Sequence, residues 1–140
     1  MDGSTQENRE GPVAALPFSE VWMADFEFVA DAGEQQRPVC MVAEEYWSGH
    51  QIRLWEEDLH ALSAAPFDIG PNACFVAYFA SAELACFRAL GWALPINTLD
   101  LFAEHRVITN GERVLHGNGL LGAAQRVGID TIDAADKEIM

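Results

Sequence analysis

Basic residues are scarce in this chain: eight Lys and Arg stand against 22 Asp and Glu over 140 residues, a formal net charge of −14. That balance excludes a protein that clamps nucleic acid by charge alone, because such proteins neutralise backbone phosphates with many lysines and arginines. Cysteine is sparse and odd in number. Cys40, Cys74 and Cys86 lie in apolar surroundings without C-x-x-C spacing, which argues against a disulfide framework and for buried free thiols in a reducing compartment. No window approaches the roughly 18 consecutive apolar residues of a membrane span, and the polar start holds no apolar stretch that could serve as a signal core. A cytoplasmic protein without a membrane partner is expected. His50, His60, His105 and His116 are scattered, with no H-x-x-x-H or Cys/His spacing, so no zinc site is expected.

What is present is the composition of one globular domain, 50% hydrophobic and 21% charged, long enough to bury a core without disulfides or structural zinc. Residues 1–17 read as a disordered polar and acidic tail and 18–140 as the domain. From Glu20 to Ala30 the run E-V-W-M-A-D-F-E-F-V-A suits a central strand. Pro38 to Ala43 and Gln51 to Trp55, joined around Ser48-Gly49, complete a three-stranded antiparallel meander. After Trp55 the run E-E-D-L-H-A-L-S-A-A predicts a short helix ended by Pro66. Ala73 to Phe79 is a continuous apolar run of strand length, of the kind buried on both faces in parallel pairing. Ser81 is expected to cap the following helix, whose Leu84, Phe87 and Leu90 form one stripe and which Gly91 stops. Thr98 to Val107 predicts a short strand running into a helix, Leu120 to Val127 a further helix starting near Gly119, and Asp133 caps a last one. The G-x-G-x-x-G match from Gly117 to Gly122 follows no strand and reads as a helix start rather than a dinucleotide fingerprint. Trp22, Trp47, Trp55 and Trp92 read as core and rim packing.

Chemistry concentrates in Asp25-Phe26-Glu27-Phe28. Strand alternation places both carboxylates on one face, about 7 Å apart, and the two phenylalanines on the other. Paired carboxylates repel unless protonated or neutralised, and a hard divalent cation such as Mg2+ or Mn2+ is the natural partner for their oxygens. Val21 and Met23 occupy the same face further up the strand, which is unusual for a merely solvated edge. Glu83 falls in the first turn of the helix after the buried strand, where strand ends and helix starts converge on one rim. It can equally complement the helix dipole there.

The order D-F-E-F on an opening strand, a meander, V-A-Y-F-A-S-A-E-L and then L-P-I-N-T-L-D-L-F-A-E-H-R resembles the 3'-5' exonuclease domain of family A DNA polymerases, in the DEDD exonuclease superfamily. The resemblance implies an α/β, ribonuclease H-like mixed sheet: a three-stranded antiparallel meander, parallel strands and flanking helices. It implies two divalent ions held by carboxylates, terminal phosphodiester hydrolysis on a single-stranded DNA 3' end, and a polymerase domain or subunit as a possible companion. Residue by residue it assigns Asp25 and Glu27 to the first motif and Glu83 to the second as catalytic and metal-binding groups. Phe26 and Phe79 fall beside the substrate, and Asp100 is an acid that supports the site. Phe79 and Glu83 stand where the second motif has asparagine and aspartate. The third motif, Tyr-x-x-x-Asp or His-x-x-x-x-Asp, is not found before Met140, so an incomplete domain is expected. The alternative is a catalytically inactive ribonuclease H-like module for binding or assembly.

Overall fold

A computed structural model describes residues 9–131. The first eight residues of the expected tail and the last helix capped by Asp133 lie outside the described residues. The elements run β1 (Glu20–Val29), β2 (Arg37–Glu45), β3 (Gln51–Trp55), α1 (Glu56–Ala61), β4 (Ala73–Ala77), α2 (Ala80–Ala89), β5 (Thr98–Asp100), α3 (Leu101–Ile108) and α4 (Leu120–Arg126). A 3-10 turn, Pro12–Ala15, precedes β1. Val13 packs on the cluster of Val21, Cys74 and Val76, and the Arg9 guanidinium lies 4.8 Å from the centre of a Trp47 ring. The stretch expected as a tail is therefore folded against the domain from residue 9 onward. Val13 is the apolar residue of this turn that packs on the core, while Ala15 and Leu16 stay exposed.

Five strands form one mixed sheet in the order β3-β2-β1-β4-β5, with β1 central. The meander is antiparallel, and β4 pairs parallel with both β1 and β5. This is the α/β, ribonuclease H-like arrangement that the resemblance implies. β4 is buried at all five positions, as a strand covered on both faces should be.

One face of the sheet carries the main core. Trp22, Ala24 and Phe26 from β1 meet Phe75, Phe67, Phe87 and Trp92. The rings pack edge to face, with centroids 5.2 Å apart for Phe75–Phe87 and 5.9 Å for Phe26–Phe87. Leu84 and Leu90 join Phe87 on this stripe of α2. The helix stops as the sequence predicts. Gly91 takes a left-handed φ of 72°, its N–H donates to Arg88 O and that of Trp92 to Phe87 O, a Schellman closure that turns Trp92 back onto the core. Trp22 and Trp92 are the packing residues expected, but Trp55 is 70% exposed.

Ser81 does not cap α2. The helix starts two residues earlier, at Ala80 after Phe79 in a left-handed conformation (φ 68°, ψ 61°), and no side chain caps it. A tertiary tie overrides the local preference: the Phe79 N–H is held by Asp100 Oδ1 at 3.0 Å, which fixes the turn out of β4. At the start of α4, Gly119 is the N-cap, as expected. A Cβ on Gly122 would come within 2.2 Å of His116 O, so the third glycine of the G-x-G-x-x-G match permits close backbone packing.

Phe87 sits at the junction of four aromatic side chains and is fully buried. Phe87→Ala should cost about 3–5 kcal/mol of unfolding free energy, measured by urea denaturation.

Candidate functional site

The site begins with unequal strand lengths. β1 pairs with β4 only from Glu20↔Ala73 to Met23↔Val76, while its pairing with β2 continues to Val29↔Arg37. From Ala24 onward β1 has lost its parallel neighbour, and backbone groups on that side need other partners. The Phe26 N–H finds one in Glu83, whose Oε2 accepts it at 2.9 Å. Glu83 reaches this position from the first turn of α2 and is only 5% exposed.

The structure brings Asp25, Glu27 and Glu83 together. Asp25 and Glu27 project as exposed side chains from one face of β1, on either side of the residue whose amide Glu83 holds. Burial pushes the Glu83 carboxyl up to about 7; the Phe26 hydrogen bond works against this, and the charges of Asp25 and Glu27 add to it. The same burial drives the neighbouring Cys86 thiol up to about 12, with Glu83 adding to the shift, so this cysteine is not a nucleophile at neutral pH.

Phe26, expected beside the substrate, is corrected. Its ring is 3% exposed and packed against Phe87 and Trp92, so only its backbone faces the site. Strand alternation, which puts Asp25 and Glu27 outward, necessarily sends Phe26 inward. Phe79 is different: half exposed on the rim, it lies against Phe102 with centroids 5.3 Å apart. Its left-handed backbone is unfavourable for a bulky side chain and persists because Asp100 holds it. Asp100 Oδ1 also accepts from Phe102 N at 2.9 Å, capping α3.

Beside Asp25 lies a cleft of about 390 Å³, lined by Met23, Val42, Tyr78, Leu101 and Leu120 among others. Tyr78 is a feature that the sequence reading passed over. Its hydroxyl donates to Asn118 O, tying the loop before α4 across the cleft, and burial together with Asp100 raises its pKa. Its only sequence signal is its place just past the buried run of β4.

The carboxylates supply oxygen donors of the kind hard cations take. Among the described residues, however, no three His, Cys, Asp or Glu side chains converge as they stand on one ion position. The reason is directional: Glu83 is turned to an amide on the β4 side of the strand, whereas Asp25 and Glu27 leave through the sheet face. No described helix is long and apolar enough to cross a membrane.

No known family model matches the chain, and no curated protein does. Solved structures of exonuclease I are similar in fold. One, described as an ExoI/SSB-Ct complex, superposes with a TM-score of 0.58 at 13% identity over 84% of this chain and 38% of its own. Exonuclease I without ligand gives 0.56 at 12% over 81% and 38%, and a product-bound form 0.52 at 14% over 84% and 40%. The chain thus spans about two fifths of the proteins it is similar to. These neighbours are exonuclease I and not polymerase domains; the likeness supports the ribonuclease H-like fold that DEDD exonucleases use, not membership in the family A polymerases.

Proposed function

We propose that this chain carries a divalent-cation-dependent 3'-5' exonuclease site for single-stranded DNA ends, centred on Asp25, Glu27 and Glu83. One observation carries the reading: where β1 outruns β4, two outward carboxylates flank an amide held by a third. The fold shared with exonuclease I supports it. A polymerase domain or subunit is not needed for it.

Mg2+ or Mn2+ would be held first by Asp25 and Glu27, with Glu83 as the third carboxylate. When bound, such ions would neutralise phosphate charge and activate water for phosphodiester hydrolysis. The chain's own residues do the rest. The buried Phe26 ring anchors the strand and holds both outward carboxylates in fixed directions. The half-exposed Phe79 ring, fixed through Asp100, offers a stacking surface for a terminal base. A second reading, a module that binds without hydrolysing, is favoured by the engagement of Glu83 with the Phe26 amide and by phenylalanine at position 79.

Mn2+ at a hundred times its Kd should stabilise the chain by about 2.7 kcal/mol, read as a rise in Tm. Asp25→Asn and Glu27→Gln should remove the rise, and Glu57→Gln, on exposed α1, should retain it. Absence of the rise in the unaltered chain overturns the cation site. Shortening of a labelled oligonucleotide from its 3' end supports the exonuclease, whereas binding without shortening supports the second reading.

Glu83 makes its own prediction, independent of activity. Its folded pKa of about 7 lies above the 4.5 of an ordinary glutamate, so the folded chain holds this proton more tightly than the unfolded one. The stabilisation is full below pH 4.5 and is lost as pH rises through about 7. Glu83→Gln keeps an acceptor for the Phe26 amide and carries no charge. It should match the unaltered chain near pH 4.5 and exceed it above pH 7 by up to about 3 kcal/mol, measured by metal-free denaturation.

A further inference from the structure

The face of β1 that bears Asp25 and Glu27 continues across β2 and β3, where, among the described residues, Val42, Arg53 and Trp55 are exposed. Strand register gives two rows. Asp25 is opposite Val42, and Val42 is opposite Arg53; Glu27 is opposite Cys40, and Cys40 is opposite Trp55. Residues directly opposite share a face, so Arg53 and Trp55 stand two strands, about 9.5 Å, from the carboxylates on the same surface. A second depression of about 370 Å³ is lined by Cys40, Val42, Arg53 and Trp55, and it shares Val42 with the cleft beside Asp25. The two hollows adjoin at Val42.

The lining of the second hollow sets an exposed indole beside a guanidinium. Trp55 is 70% exposed and Val42 44%, although the chain buries Trp22 and Trp92 almost completely. Arg53 is one of only eight basic residues in a chain of net charge −14. Its guanidinium donates to Gln51 Oε1 at 3.1 Å and, like those of Arg88, Arg106 and Arg113, forms no ion pair among the described residues. A flat aromatic surface beside an unpaired cation, leading to paired carboxylates, is the pattern of a single-stranded nucleic-acid path: bases stack on the ring and the cation meets a phosphate.

We propose that the open face of β2 and β3 is a binding track for the nucleotides upstream of a 3' end seated at Asp25 and Glu27, with Trp55 stacking a base and Arg53 pairing with a phosphate. The track rests on the exonuclease reading for its direction, but its existence can be measured separately. An exposed indole beside a guanidinium without an ion pair, on the face that carries the carboxylates, favours a polynucleotide over a second copy of the chain as the occupant.

The test is binding of a fluorescein-labelled oligothymidylate, protected by a 3'-terminal phosphorothioate, to the full chain in Mn2+, followed by anisotropy. Trp55→Ala should weaken binding about tenfold, within the range that loss of one base stack produces, and Trp55→Phe should restore most of it. Arg53→Gln should weaken binding and reduce the slope of log affinity against log salt by about 0.7. Both sites are exposed, and unchanged melting of the variants excludes misfolding. If the Mn2+ stabilisation is present and the oligonucleotide binds all variants equally, the track is wrong and the carboxylate site stands. If the Mn2+ effect is missing but Trp55 and Arg53 still govern binding, the track stands and the exonuclease reading falls. An unaltered chain that binds no oligonucleotide overturns the track, as does a dimer that Trp55→Ala disperses without any change in oligonucleotide affinity.

Discussion

A single backbone amide organises this molecule. β1 is longer than the parallel strand beside it, so the Phe26 N–H emerges where no ladder partner exists. A buried amide left unpaired is costly, and the chain meets that need with the Glu83 carboxylate from the next helix. This one contact sets the position of α2 against the sheet end. It draws a third acid to the flank of Asp25 and Glu27, where burial and the two neighbouring charges raise that acid's proton affinity against the opposing pull of the amide itself. In the proposed function, structural and chemical roles would coincide in the same oxygen atoms: the carboxylate that closes the sheet is the one a cation would have to share.

The remainder of the fold presents this arrangement with little freedom. The core face of β1 is clamped by stacked and edge-on rings from β4, α2 and the loops around them. The opposite face carries a much smaller apolar cluster near the start of the strand and then opens toward solvent. A two-sided strand of this kind, anchored behind and exposed in front, can hold charged side chains in fixed directions without burying them. The open front is also what allows residues of β2 and β3 to share a surface with the acids.

Much of this was legible in the letters. Period-two alternation located β1 and the direction of Asp25 and Glu27, the unbroken apolar run of β4 announced a doubly covered strand, and Gly91 marked the end of α2. The outward or inward direction of Phe26 followed from the same alternation, but family resemblance drew it toward the substrate, and the core holds it. Other features depend on distances along no single element. That Glu83 would turn to an amide required knowing that β1 outruns β4. Ser81 lost the cap because an aspartate 19 positions later restrains Phe79. Trp55 looked like packing because tryptophan usually is; strand order puts β3 at the sheet edge, and among the described residues its ring is left 70% exposed.

Asp100 gives the rim a mechanical character. One of its oxygens, Oδ1, receives the amides of both Phe79 and Phe102, and the rings of these two residues also touch. The first turn of α3 and the turn leading into α2 therefore hang from a common pin. Any force that tilts α3 is delivered to the turn at Phe79, so the starts of the two helices respond as one piece.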